Sequence, residues 1–325
     1  MSIQPDGEWT VEVNPEDVSH ELIQTYRAAG VTRLSLGVQS LQDRFLTAIG
    51  RHTDRTTTLR GLRTVAELWP GTWSADLITA IPGQSPSEAR RDADALMEYA
   101  PPHVSLYELG IEPGTSLARS VRRGRIAPLT EEAQMAALRS AGDALQTAGL
   151  EQYETSSFAF PGAVSHHNLG YWEMRPWDAA GPAAVALISE EAGPTHITGP
   201  RDFQVYLGQH DFGVHREVLS SRELLEEYLM GGFRMQRGLR INAIRKVFGT
   251  SLDEVIPRTL ERWADHIGHT HHVVGGPRVH LDASAGMLLN RFLVEAFSEL
   301  DTTENRLYRS PRWPEKPANT DSDTT

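Results

Sequence analysis

The 325-residue sequence contains no cysteine, and that absence closes several routes at once. These residues cannot build a disulfide, a thiolate zinc site, a cysteine nucleophile or an iron–sulfur cluster held by its own thiolates. Long apolar runs are also missing, since nothing approaches the ~18 consecutive apolar residues of a membrane-spanning helix. The opening stretch MSIQPDGEWT lacks the charged and apolar regions of a signal peptide, so a cytoplasmic location is expected. Basic residues are outnumbered, 31 Lys and Arg against 43 Asp and Glu, for a net charge of −12. No cationic excess is available to displace counterions, so no nucleic-acid partner is expected.

What remains has the makeup of a globular protein, with 39% hydrophobic residues to fill a core. The stretch Trp9 to Ser40 sets the pattern. A strand-like WTVEVNP is followed by helix spacing over 16–29, with Val18, Leu22, Ile23 and Tyr26 on one face and Gly30 at the stop position. A second strand over 33–38 alternates Leu34, Leu36 and Val38 with Ser35 and Gly37. Helices are expected over 41–49 and 56–69, a strand over 74–83 closed by Pro82 and Gly83, a helix over 86–99 and a strand over 103–111. The basic segment Arg119 to Arg125 reads as solvated surface, and a long helix over 130–148 ends at Gly149. Four βα units in this order predict a parallel sheet with crossover helices. Strand 9–14 would lie at an edge, where its Val11 and Val13 call for cover by another chain or a further segment.

Beyond Tyr153 the text turns aromatic, with Tyr171, Trp172 and Trp177 close together. Helices are expected over 224–237, 241–248 and 252–266, then two short strands around a Gly-Gly turn and a last helix near 285–300. That order describes a winged-helix-like module. Asp253, Glu254 and Glu261 in its recognition region would repel phosphate, which argues against DNA binding. The expected organisation is an extension over 1–8, a barrel-like domain over 9–190, a helical and winged domain over 191–300 and a disordered polar tail over 301–325.

Four polar side chains fall at or just beyond the C-terminal ends of the strands or within them: Glu12, Gln39, Arg51 and Asp76. Parallel sheets place their chemistry at that end. Asp76 is the most informative, because a charge inside a buried strand is costly unless it is paired or used. Pairing with a nearby arginine and a functional role both account for it. His166 and His167 could offer an axial ligand to haem or form a solvated turn. His266, His269, His271 and His272 read as exposed wing residues rather than a metal site, and no metal or catalytic residue is assigned.

Seven motifs in order carry a family resemblance: EVNP (12–15), RLSLGVQS (33–40), GR (50–51), DLITAIPGQ (76–84), HVSLYELGIEPGT (103–115), YE (153–154) and HNLGYW (167–172). Together they resemble the radical SAM branch containing oxygen-independent coproporphyrinogen III oxidase and the haem chaperone HemW. The resemblance spans about residues 9–300. It implies an α/β fold, an incomplete (β/α)6 partial barrel followed by a helical, winged-helix-like domain. It also implies that Glu12, Gln39, Arg51 and Asp76 contact S-adenosylmethionine and that His167 lies toward haem. The expected role is in haem or porphyrin metabolism, with haem or porphyrin and haem-acceptor proteins as partners. The alternative is a catalytically inactive, ligand-binding or structural pseudoenzyme.

The departures from the pattern are equally informative. The family's CxxxCxxC loop for a 4Fe-4S cluster is absent, as is the Gly-Gly strand after it, as though the sequence starts at the third barrel strand, about 60 residues in at ~30 residues per unit. Without those thiolates, reductive cleavage of S-adenosylmethionine is not expected. Where relatives read like DLIYGLPGQ this chain has Thr79 and Ala80, and where they read like GIGPGAHS it has Ala179 to Ala186, with Ala183 at a glycine and Val185 at the histidine. Glycine lost there is positive-φ freedom lost.

Overall fold

The computed structural model describes residues 7–208, 213–271, 276–282, 286, 288–303, 306–308 and 310–314. It divides into two compact units, Met1–Ser165 and His166–Thr325.

In the first unit, strands β1 (Thr10–Val13), β2 (Arg33–Gln39), β3 (Thr72–Thr79) and β4 (His103–Glu108) run parallel in sequence order. Antiparallel β6 (Ser157–Ala159) and β5 (Glu151–Glu154) extend the sheet beyond β4. The sheet is open, with β1 at one edge and β5 at the other. Crossovers run through α1 (His20–Ala29), α2 (Asp43–Ala48), α3 (Arg55–Leu68), α4 (Pro86–Met97), α5 (Ser116–Arg122) and α6 (Glu131–Thr147).

Local sequence explains these boundaries. Asp54 caps α3 by accepting from Thr57 N at 2.7 Å, and Ser85 with Glu88 forms a capping box before Pro86. Gly30 ends α1 at φ +89°. Alternation then sorts the strand residues. Leu34, Leu36, Val38, Trp73, Ala75, Leu77, Val104 and Leu106 face the helices and form one core with Ile23, Leu62, Val65, Leu96 and Leu145. The other face of the same strands is polar. The basic segment forms α5, which has no buried residue, as a solvated surface should.

The second unit begins with α7 (His166–Trp172). An antiparallel meander follows, β7 (Val185–Glu190), β8 (Gly193–Thr198) and β9 (His215–Val218), with α8 (Phe203–Gly208) between the last two. Helix α9 (Ser221–Arg234) then buries Leu224, Leu225, Tyr228, Leu229 and Phe233. Strand β10 (Leu239–Arg240) and helices α10 (Ile241–Phe248), α11 (Leu252–Val255) and α12 (Pro257–Arg262) come next, then β11 (Ile267–Thr270), β12 (Arg278–Leu281) and α13 (Leu289–Leu300). The three-stranded sheet β10-β12-β11 with these helices is winged-helix-like.

Several expectations need correction. One helix over 252–266 is two, because Pro257 starts a new helix where it can supply no amide to the old one. The boundary falls after Ser165 rather than after residue 190, since Met174 and Leu187 belong to the second core and Trp177 packs against it. Nor is the described part of the tail a solvated run. Trp313 is buried in the second core and donates from Nε1 to Met174 O at 2.8 Å, while Arg312 N bonds Val247 O and Tyr308 N bonds Phe248 O. Residues 315–325, residues 1–6, His272 and Ala285 lie outside the described residues.

Candidate functional site

The polar face of the first sheet is built by every second residue. In register, Glu12 sits beside Ser35, Ser35 beside Ser74, Ser74 beside His103, and Asp76 beside Ser105. Asp76 takes the Ser35 hydroxyl at 3.3 Å on each oxygen and is bonded by Ser105 as well. Burial pushes its carboxyl pKa up; the two hydroxyls and Arg33 oppose that shift, and Glu12 adds to it. Glu12 and Asp76 are therefore electrostatic neighbours.

Gln39 and Arg51 form the second half of the site. A bulge between Leu36 and Gln39 ends the regular pairing of β2 with β3, and Gln39 takes φ +64°. Its amide comes back over Gly37, where an added Cβ would meet Gln39 Nε2 at 3.0 Å and Arg51 Nη2 at 3.4 Å. Only glycine leaves that space open. Arg51 Nη1 donates to Asn14 Oδ1 at 2.9 Å. The turn after Gln39 is pinned from α4 by buried Asp92, which accepts from Ser40 Oγ at 2.7 Å, Gln42 Nε2 at 2.9 Å and Leu41 N at 3.2 Å.

All four expected residues thus lie on one face, as Glu12 with Asp76 and Gln39 with Arg51. Asp76 does not pair directly with an arginine. The cation that acts on it, Arg33, is 5% exposed, and its Nε and Nη2 are buried without a hydrogen-bond partner among the described residues. Burial lowers the Arg33 pKa, partly countered by Glu8, Tyr153, Asp76 and Tyr107. Beside it, fully buried His103 holds Tyr153 OH at 2.8 Å through Nε2, and burial, helped by Arg33, pushes its pKa down to about 3. The sequence reading missed Asn14, Arg33, Ser35, Ser74, His103 and Ser105. The signal was present: Arg33, Ser35 and Gly37, Ser74 and Asp76, and His103 and Ser105 put non-apolar residues at every second position of otherwise apolar strands. The arrangement presents two carboxylates, an amide and a guanidinium beside a glycine gap, suited to a ligand with hydroxyl, ammonium and carboxylate groups.

His167 belongs to the second unit. It lies exposed on α7, its ring edge-on to Tyr171 at 4.6 Å between centroids, and Tyr171 is edge-on to Trp177 at 4.9 Å. In the wing, His266 bonds Asp282 at 3.1 Å and His269 stacks on His271. Among the described residues no three His, Asp or Glu side chains converge as a metal site.

Residues 2–96 match the Radical SAM superfamily. The chain is 36% identical over 245 residues to radical S-adenosyl methionine domain-containing protein 1, mitochondrial, of Bos taurus, covering 72% of this chain and 55% of that protein. It is 38% identical over 187 residues to the heme chaperone HemW of Mycobacterium tuberculosis, covering 57% and 48%. The chain spans about half the length of these curated relatives. Its fold is similar to that of the Escherichia coli coproporphyrinogen III oxidase HemN, described as a radical SAM enzyme, with a TM-score of 0.72 over 91% of this chain and 70% of that one at 16% identity. Residues 2–96 thus carry a radical SAM match, and the chain is similar over most of its length to radical S-adenosyl methionine domain-containing protein 1 and over a little more than half of it to the heme chaperone HemW.

Proposed function

We propose that this chain is a HemW-like haem-handling protein that binds haem through His167. The observation that carries the reading is the imidazole of His167 held on α7 against the aromatic pair Tyr171 and Trp177. Imidazole is a common axial ligand, and aromatic rings suit the flat face of a porphyrin. Relatives named heme chaperones support the same reading. No helix among the described residues is long and apolar enough to cross a membrane. A cytoplasmic location, delivery of haem to acceptor proteins and pairing of a further strand on the edge of β1 complete the proposal. Haem titrated into the full chain is expected to give a shifted Soret band. His167→Ala should abolish that shift and weaken binding about tenfold or more, the scale of one lost strong ligand contact. An identical titration for the variant, or no shift with the parent chain, rejects the assignment.

The family implies two further groups, and the residues treat them differently. S-adenosylmethionine fits the first unit. Glu12 and Asp76 offer acceptors to its hydroxyls and ammonium, Gln39 and Arg51 offer donors to its carboxylate, and Gly37 leaves the space between. When bound with a reducing cluster it supplies a radical, but nothing in these 325 residues can hold that cluster, because no thiolate exists among them. We therefore assign S-adenosylmethionine binding, and no step beyond it, to these residues. Calorimetry should show binding that Asp76→Ala weakens about tenfold, the cost of a lost charge-assisted hydrogen bond. Equal heats from parent and variant would remove Asp76 from the site.

A further inference from the structure

Strand β9 ends the meander β7-β8-β9, and among the described residues no strand pairs with its outer side. All four of its residues are exposed. Of the large apolar side chains left exposed, Val185, Phe203, Val205, Leu207, Val214 and Val218 come from this meander, α8 and the residue just before β9. An open edge that carries apolar side chains is a template for another chain.

The backbone fixes which groups that edge offers. β9 runs antiparallel to β8, with His215 opposite Thr198, Arg216 opposite Ile197, Glu217 opposite His196 and Val218 opposite Thr195. Leu219 N donates to Pro194 O at 2.8 Å, so the N–H and C=O groups of Leu219, Glu217 and His215 turn toward β8. Those of Val218, Arg216 and Val214 turn outward, a set centred on Arg216.

Side chains and backbone share that centre. The run Val214, His215, Arg216, Glu217, Val218 has apolar ends and, inside them, a histidine and a carboxylate. Laid antiparallel on a second copy with Arg216 opposite Arg216, its outward N–H and C=O groups meet their complements. Val214 then faces Val218 of the second copy. His215 faces Glu217 of the second copy at a non-hydrogen-bonded position, where cross-strand side chains approach most closely. Neither His215 nor Glu217 has a hydrogen-bond partner of its own among the described residues, and both are exposed. The two central arginines would repel each other alone, but each is paired with Glu190 of its own chain.

We propose that β9 pairs antiparallel with β9 of a second copy of this chain, about a two-fold axis at Arg216, joining two three-stranded sheets into one. A two-fold contact uses the same patch on both partners, and a self-complementary strand meets that requirement. The pairing needs neither haem nor S-adenosylmethionine.

The cysteine-free sequence makes cross-linking unambiguous. Arg216→Cys in the full chain would set two thiols directly opposite, about 5.5 Å apart at Cα, within the reach of a disulfide. Under mild oxidation it should give about tenfold or more cross-linked dimer than Val294→Cys, an exposed position on α13. His215→Cys and Glu217→Cys should cross-link poorly alone and readily when mixed, because each faces the other's position. Sedimentation of the parent chain should show a concentration-dependent dimer. Arg216→Pro removes an outward N–H that β8 does not use, so it should weaken that dimer about tenfold or more with unchanged circular dichroism. A chain that stays monomeric up to about 1 mM overturns the proposal. So does Arg216→Cys cross-linking no better than Val294→Cys, or His215→Cys cross-linking as well alone as in the mixture. If Arg216→Pro does not fold, the mixed cysteine pair decides, since it leaves Arg216 and its ion pair in place.

Discussion

Lowering the pH from 7 to about 4.5 is expected to cost the first unit about 3 kcal/mol through His103 alone. The folded protein holds this imidazole neutral, with a pKa pushed down to about 3 by burial and by the charge of Arg33, whereas the unfolded chain takes up a proton near the ordinary histidine value of 6.5. Between those two values the unfolded state binds more protons. Stability is therefore full above 6.5, falls with every step of acid below it and levels off only under pH 3. The direction opposes that of Asp76, whose raised pKa disfavours the folded state at neutral pH and whose contribution recovers as acid is added. A difference measurement isolates the histidine. Urea unfolding of His103→Gln and the parent chain, followed through Trp9, Trp69 and Trp73, should show a stability gap at pH 7 that shrinks by about 3 kcal/mol at pH 4.5. A gap independent of pH would mean that His103 is not held neutral.

In the second unit the largest single loss is expected from Glu299→Ala, at about 3–5 kcal/mol. Glu299 sits on α13, 5% exposed, and answers the N-terminus of α12. One oxygen accepts from Arg258 N at 2.9 Å and Nε at 3.1 Å, and the other from Thr259 N and Oγ1, both at 2.8 Å. Helix α12 has no side-chain cap of its own, so this carboxylate satisfies amides that would otherwise be stranded beside buried Thr259. Burial pushes the Glu299 carboxyl up, but the two amides, the Thr259 hydroxyl and the Arg258 guanidinium outweigh it and hold the pKa below the usual range. A depressed carboxylate pKa means the contribution is present above about pH 4.5 and is lost as the pH falls below it. Glu299→Gln, which keeps one acceptor, should lose less than Glu299→Ala. Denaturant midpoints for the two variants test the ranking; a cost under about 1 kcal/mol for the alanine variant would leave Glu299 as an ordinary surface pair.

Much of the first unit could be read from its letters because period and punctuation agree there. Strands β2, β3 and β4 alternate and are bounded by helices with recognisable caps and stops, so their elements fall within a few residues of expectation. Strand β5 escaped notice because Glu151, Gln152 and Glu154 leave no apolar alternation, and it is recruited by pairing with β6. The meander of β7 to β9 was missed for a related reason: Thr195, His196, Glu217 and Arg216 sit at its paired positions, so tertiary pairing rather than propensity defines it. Trp313 was one aromatic in a polar run, and only its burial shows that the chain turns back there. The site residues named from the strand ends lie together, yet the floor of Arg33 and His103 went unnamed, because a buried arginine or histidine looks in sequence like any polar interruption.

Two alanines sit in backbone that favours glycine. Ala80, after β3, and Ala183, before β7, stand where the resembled pattern has glycine, and the backbone there still takes φ +60° and +58°. An L-residue in that left-handed region costs roughly 1–2 kcal/mol. Ala80 is held by the turn that returns through Gln84 N to Ile81 O, and Ala183 by its own amide on Pro200 O. Both turns therefore take a glycine's backbone with an alanine's side chain. Alanine and glycine codons differ by a single base, so relief has always been one substitution away. A glycine at either position would hold the same turn without that cost.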